Sequence, residues 1–153
     1  MSELAISRAG PADLDALALL FDAYRGFYGQ ASDVAGARDW LRSRLRVGES
    51  VVLVAKRAGA AVGFVQLYPM FSSVRMARTW ILNDLFVDAA ARRGGVARAL
   101  LDAAAAFARE DGAAGLSLET GRDNAAARAL YRAAGWHEDD TQWYSLSFSR
   151  QHH

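Results

Sequence analysis

The segment Leu82 to Leu101, LNDLFVDAAARRGGVARALL, constrains this chain more than any other part of it. An apolar run suited to a strand passes through the loop Arg92-Arg93-Gly94-Gly95 into Val96, Leu100, Leu101, Ala104, Phe107 and Ala108, which make one stripe at helical spacing. A strand feeding a helix in this way demands a layered arrangement in which the helix packs back onto a sheet. It also creates a site. The first turn of a helix leaves about four backbone N–H groups unpaired and carries roughly half a positive charge, so a helix start seats an anion. Gly94 and Gly95 admit that anion to the backbone, because no Cβ stands in the way, and Arg92, Arg93 and Arg98 add charged donors. The expected occupant is a phosphate or a diphosphate. The alternative is a surface loop whose arginines are merely solvated.

The remaining elements follow from periodicity and turn chemistry. Leu4 to Arg8 alternates as a short strand, and Gly10 and Pro11 open a helix carrying Leu14, Leu17, Ala18, Phe21 and Tyr24 on one face. Gly26 and Gly29 close it. A second helix, Asp33 to Arg46, turns Trp40, Leu41 and Leu45 inward. Ser50 to Lys56 and Ala61 to Tyr68 form a hairpin about Gly59, with Pro69 at an element boundary, and Thr79 to Val87 is the next strand. Beyond the long helix come a strand at Leu116 to Glu119, a helix from Asn124 to Ala134 closed by Gly135, and a last strand from Trp143 to Phe148, with one more short strand near Trp136 to Glu138. The order βααβββαβαβ predicts a mixed α/β sheet with helices on both faces.

Whole-chain properties narrow the function. A length of 153 residues fits one domain, 1–153, and a net charge of +1 leaves no overall field to draw nucleic acid or a membrane. The absence of cysteine excludes disulfides, thiolate metal sites and cysteine nucleophiles and fits a reducing cytosol. No stretch approaches the roughly 20 apolar residues that span a bilayer, so a cytoplasmic protein without membrane partners is expected. His137, His152 and His153 share no metal-ligand spacing, so no metal is expected. The glycine loop lacks the GxGxxG of dinucleotide folds, and the sole lysine, Lys56, lies far from any Walker position.

Two motifs carry a resemblance. Arg92, Gly95 and Ala97 fill the (Q/R)xxGx(G/A) pattern directly after a strand and at a helix start, and Asn124 to Trp136, NAAARALYRAAGW, looks like NxxAxxLYxxxGF. Together and in this order they resemble the GCN5-related N-acetyltransferases, and the likeness in element order covers nearly the whole chain. YPMFSSVRMARTWILNDLFV looks like the central strands of the polyamine and histone-type subgroup. The resemblance implies a mixed sheet of six to seven strands, splayed at its centre and flanked by about four helices. It implies acetyl transfer from acetyl-CoA to an amine, with backbone amides of Arg92, Arg93, Gly94, Gly95, Val96, Ala97 and Arg98 on the CoA diphosphate. Leu85, Phe86 and Val87 would pair with the pantetheine arm, Asn124 would contact it, and Tyr131 would face the sulfur.

The chemistry makes further demands. A phenol still carries its proton at neutral pH, so Tyr131 suits protonation of the leaving thiolate, although a half-buried helix tyrosine is the plainer reading. The incoming amine must lose a proton. Some relatives place a glutamate on the central strand for that purpose, where this chain has Asn83, which cannot act as a base. Asp84 and Glu119 are the remaining candidates, and strand alternation puts Asn83 and Asp84 on opposite faces unless a bulge intervenes. Asp22, Tyr24 and Tyr28, with Asn83, are the candidate acceptor-binding residues, since a carboxylate and ring faces suit a cationic amine. Phe21 and Phe27 are expected in the core. A CoA-binding regulatory module without turnover stands as the competing reading. The apolar final strand, left unpaired, predicts a homodimer.

Overall fold

The computed structural model of the chain describes residues 3–148. Strands β1 (Leu4–Arg8), β2 (Val51–Arg57), β3 (Ala60–Ser72), β4 (Ala77–Val87) and β5 (Leu116–Ser117) lie side by side in that order. The first four pair antiparallel, and β5 joins β4 in parallel. Helices α1 (Leu14–Phe27) and α2 (Val34–Arg46) cover one face, and α3 (Val96–Glu110) covers the other. A short helix, α4 (Ala125–Ala133), follows β5.

The sheet is apolar on both faces because helices cover both. Leu17, Ala18, Phe21 and Leu41 pack with Val52, Phe64 and Phe86 under α1 and α2. On the opposite face, Leu53, Val65, Leu67, Leu82, Leu100 and Leu101 form the layer under α3. Alternate residues of each strand feed one layer or the other, as the pleat requires.

Several expectations are corrected. β3 continues through Pro69 to Ser72, which pairs with Ala77. The missing N–H is tolerated because β2 ends its pairing at Leu67, so β3 has an open edge there. β5 stops at Ser117, two residues short. Trp143 to Phe148 is not a strand, nor is Trp136 to Glu138, so the sheet has five strands among the described residues. The segment pairs with no strand: Trp143, Tyr144, Leu146 and Phe148 are 79–89% exposed, and the outer edge of β5 is left open. Trp40 is also half-exposed rather than inward, lying beneath the Arg44 guanidinium at 4.4 Å.

Candidate active site

β4 and β5 are joined only through Trp80–Leu116 and Ile81–Ser117. Past that point they part, and a cleft of about 530 Å³ opens between them. The hydrogen bond from Asp88 N to Val62 O makes Gly63–Val87 a non-hydrogen-bonded pair of the antiparallel ladder. The N–H and C=O of Val87, and of Leu85 two residues back, therefore face the open side. Phe86 directs its backbone at β3 instead, so it offers the cleft a ring and not the expected backbone pairing. Arg92 Nε donates to Val87 O at 3.1 Å and its guanidinium lies over the Phe86 ring.

The loop beyond β4 leaves backbone N–H groups unpaired at the start of α3. Gly95 is the N-cap of α3 with φ 78°, a left-handed conformation that glycine adopts without strain, and no side chain caps the helix. Among the described residues, the amides of Arg93 through Arg98 donate to no backbone carbonyl outside α3, and the first turn of α3 has none within it to use. Six consecutive N–H groups are thus left for a ligand. Arg93 itself has φ 67°, a conformation that costs a non-glycine residue energy. Val96 is fully buried and contributes only its amide, and the Arg98 side chain is spent on Asp102.

The far wall comes from β5 and α4. Asn124 is the N-cap of α4, its side chain accepting from Ala127 N, and Tyr131 lies two turns further on. Both line the cleft, with Glu119, Ala97, Arg92 and Asn83. Burial first, and then the nearby Tyr28 phenol, push the Tyr131 hydroxyl above the usual tyrosine pKa.

A β-bulge decides how the central strand presents its polar residues. Gln66 pairs with Asp84 but Leu67 pairs with Leu82, so Asn83 is an extra residue. Leu82 faces the α3 layer while Phe86 faces the α1 layer, the reversal that one inserted residue produces. Asn83 is exposed in the cleft and donates to Asp84 Oδ1 at 3.2 Å. Asp84 is 7% exposed, does not line the cleft, and accepts from Gln66 Nε2 at 2.8 Å. Burial, and then the Asp84 carboxylate, raise the pKa of both Tyr24 and Tyr68.

The acceptor candidates divide. Tyr24 and Tyr28 line the cleft, with ring centroids 5.2 Å apart. Phe27 lines it too and is 70% exposed, against the expectation that it is core; Phe21 is core. Asp22 does not line the cleft. Its two oxygens accept from Ser32 Oγ and Asp33 N and so tie α1 to the start of α2. Sequence reasoning missed Gln66, whose link to Asp84 spans two strands, and Gly121, where a Cβ would sit 2.8 Å from Asp123 Oδ1. Among the described residues, no group of three or more His, Asp or Glu side chains is arranged to hold a metal, and no helix is long and apolar enough to cross a membrane. His152 and His153 lie outside the described residues.

Residues 15–136 match the acetyltransferase (GNAT) family. The chain is 49% identical over 134 residues to an uncharacterized N-acetyltransferase, YhfO, of Bacillus subtilis (strain 168), covering 88% of this chain and 90% of that one. It is 31% identical over 108 residues to human N-acetyltransferase 8, covering 71% of this chain and 48% of that one. The crystal structure of a probable acetyltransferase superimposes with a TM-score of 0.91 at 41% identity, covering 96% of this chain and 99% of that one. The aminoglycoside N-acetyltransferase AAC(6')-Iy, solved in complex with CoA, shares the fold with a TM-score of 0.80 at 18% identity, covering 96% of each chain. The protein belongs to the acetyltransferase (GNAT) family. It is an N-acetyltransferase with a mixed sheet in which β4 and β5 part.

Proposed function

We propose that residues 1–153 work as one domain that acetylates a primary amine, on a small polyamine-like molecule or on a peptide lysine or N-terminus, using acetyl-CoA. One observation carries this reading: the loop whose amides from Arg93 to Arg98 have no backbone partner meets, at Arg92 and Ala97, the cleft that Tyr131, Asn124, Leu85 and Val87 also line. The fit is chemical as well as spatial. The amides and Arg92 suit a diphosphate, the edge of β4 suits the amide groups of a pantetheine arm, and the CoA complex of the structurally similar aminoglycoside enzyme supports the same donor.

Acetyl-CoA supplies the acyl group as a thioester when bound. The chain's own residues do the rest. Holding donor and amine in one cleft replaces a bimolecular encounter by a positioned one, worth on the order of 7–11 kcal/mol when alignment is good. The Val87 N–H, on the open side of β4, is placed to polarise a carbonyl oxygen. Tyr131 holds a proton at Oη for the departing sulfur. Tyr24 lines the cleft beside Asp84, so a proton leaving the amine passes through Tyr24 to Asp84, with Glu119 at the cleft wall as the alternative acceptor. Tyr28 and Asn83 wall the acceptor side.

Release of free CoA measured against a panel of amines tests this, run in parallel on Asp84→Asn and Glu119→Gln. Turnover on at least one amine is expected, with Asp84→Asn losing roughly two orders of magnitude or more and Glu119→Gln much less. The reverse order would transfer the role to Glu119. Saturable CoA binding without turnover on any amine would mark a regulatory CoA-binding module. The cysteine-free composition supports a cytoplasmic setting.

A further inference from the structure

We propose that Arg57, at the end of β2, is a further phosphate-binding residue of the donor site; the proposal rests on the acetyl-CoA reading above. The sheet brings β2, though two strands away from β4, to the exit of that strand. Arg57 pairs with Ala60 at the β2–β3 turn, and Gly63 pairs with Val87 just before the loop. As a result Arg57 Nη1 lies 3.2 Å, and Nη2 3.9 Å, from the point that a Cβ on Gly94 would occupy.

This contact explains a glycine that backbone geometry does not. Gly95 needs its left-handed φ, but Gly94 is not among the glycines with positive φ, so an L-residue could adopt its backbone conformation. What a side chain at 94 would meet is the Arg57 guanidinium and the Ala91 carbonyl, 3.4 Å away. Gly94 leaves room for a cation against the loop.

Among the described residues that cation forms no ion pair. Arg57 is half-buried, and no salt bridge or side-chain hydrogen bond of it is found among the described residues. Of the neighbouring cations, Lys56 pairs with Asp13, Arg98 with Asp102, and Arg92 spends one donor on the Val87 carbonyl, while Arg93 in the loop is, like Arg57, without a side-chain partner among the described residues. A partly desolvated guanidinium with its fork of donors unspent, set against a loop of free amides, matches phosphate oxygens in charge and in geometry. The ligand group is a phosphate of the acyl-CoA, either the diphosphate or the 3′-phosphate. Arg57 thereby sets donor specificity, favouring phosphorylated acyl carriers over acyl-pantetheine.

Calorimetric titration of CoA and of 3′-dephospho-CoA into the unsubstituted protein, Arg57→Gln and Arg57→Lys, at low and high salt, tests the assignment. Arg57→Gln is expected to weaken CoA roughly tenfold or more at low salt, to flatten the salt dependence, and to leave the melting temperature unchanged, with Arg57→Lys recovering part of the loss. Equal weakening of both ligands would assign the contact to the diphosphate. Weakening of CoA alone would assign it to the 3′-phosphate. Unchanged CoA affinity in Arg57→Gln would overturn the proposal, as would a loss that is independent of salt and accompanied by a lower melting temperature. No CoA binding by the unsubstituted protein would instead sink the donor reading itself.

Discussion

Tyr131 sits where its environment favours the form that the proposed reaction uses. Its phenol is half-buried on α4 with Trp136 at 6.3 Å between ring centroids and Tyr28 nearby, and both burial and Tyr28 disfavour the phenolate. The acid form therefore persists above the usual tyrosine value of 10.0. Tyr131→Phe should lower kcat by roughly 10²–10⁴ with little change in KM for acetyl-CoA, as steady-state kinetics would read directly. In the unsubstituted enzyme, any fall of kcat between neutrality and about pH 9 should survive in the residual activity of Tyr131→Phe, because Tyr131 does not titrate there. At this scale the resemblance pointed to Tyr131, Asn124 and Arg92, and all three line the cleft. The sequence could not tell that Asp22 caps a loop, since both donors to it come from residues beyond the next turn.

The elements impose two close tolerances. Gly63 lies where β3, β4 and α3 meet: a Cβ there would come within 2.9 Å of Phe86 O and 3.3 Å of Leu100 and Val96 side chains. Gly63→Ala should cost about 1–3 kcal/mol in a denaturant melt, because backbone and two core side chains must shift to admit one methyl. The second tolerance joins β2 to the turn before α1. Lys56 Nζ lies 2.5 Å from Asp13 Oδ1, and that hydrogen bond, followed by one from the Gly10 amide, holds the Asp13 carboxyl below its usual 3.8. A carboxylate whose folded pKa is depressed stabilises the fold fully above the unfolded value and loses that contribution as pH falls through the folded one. Lys56→Met should accordingly unfold at higher pH on the acid side, while costing no more than about 1 kcal/mol at neutrality, since the lysine is a third exposed. Acid titration followed by circular dichroism distinguishes the two proteins.

For the molecule as a whole, the parted strands couple stability to the donor. A ligand that binds only the folded chain at 100 times its dissociation constant adds about 2.7 kcal/mol, which in a chain of this size raises the melting temperature by roughly 5–11 °C. Acetyl-CoA should produce that shift in differential scanning fluorimetry, and acetyl-pantetheine a much smaller one. We propose that a second copy of the chain covers the exposed run Trp143 to Phe148, beside a groove between β5, α4 and residues 136–143. Light scattering at micromolar concentration is expected to give twice the chain mass, and a monomer would count against it.

Local features were legible in the order of residues. Apolar spacing marked the helices, alternation found most strands, and the Arg-Arg-Gly-Gly turn marked a helix start with unpaired amides, because helix starts and glycine conformations depend on a few neighbouring residues. The rest was settled by long-range packing. Whether Asn83 and Asp84 share a face depended on a bulge set by pairing with β3. That Trp143 to Phe148 stays off the sheet depended on pairing with a distant strand, and Arg57 meets Gly94 only because two intervening pairings align three strands. These are contacts between residues far apart in the chain, and no local spacing encodes them.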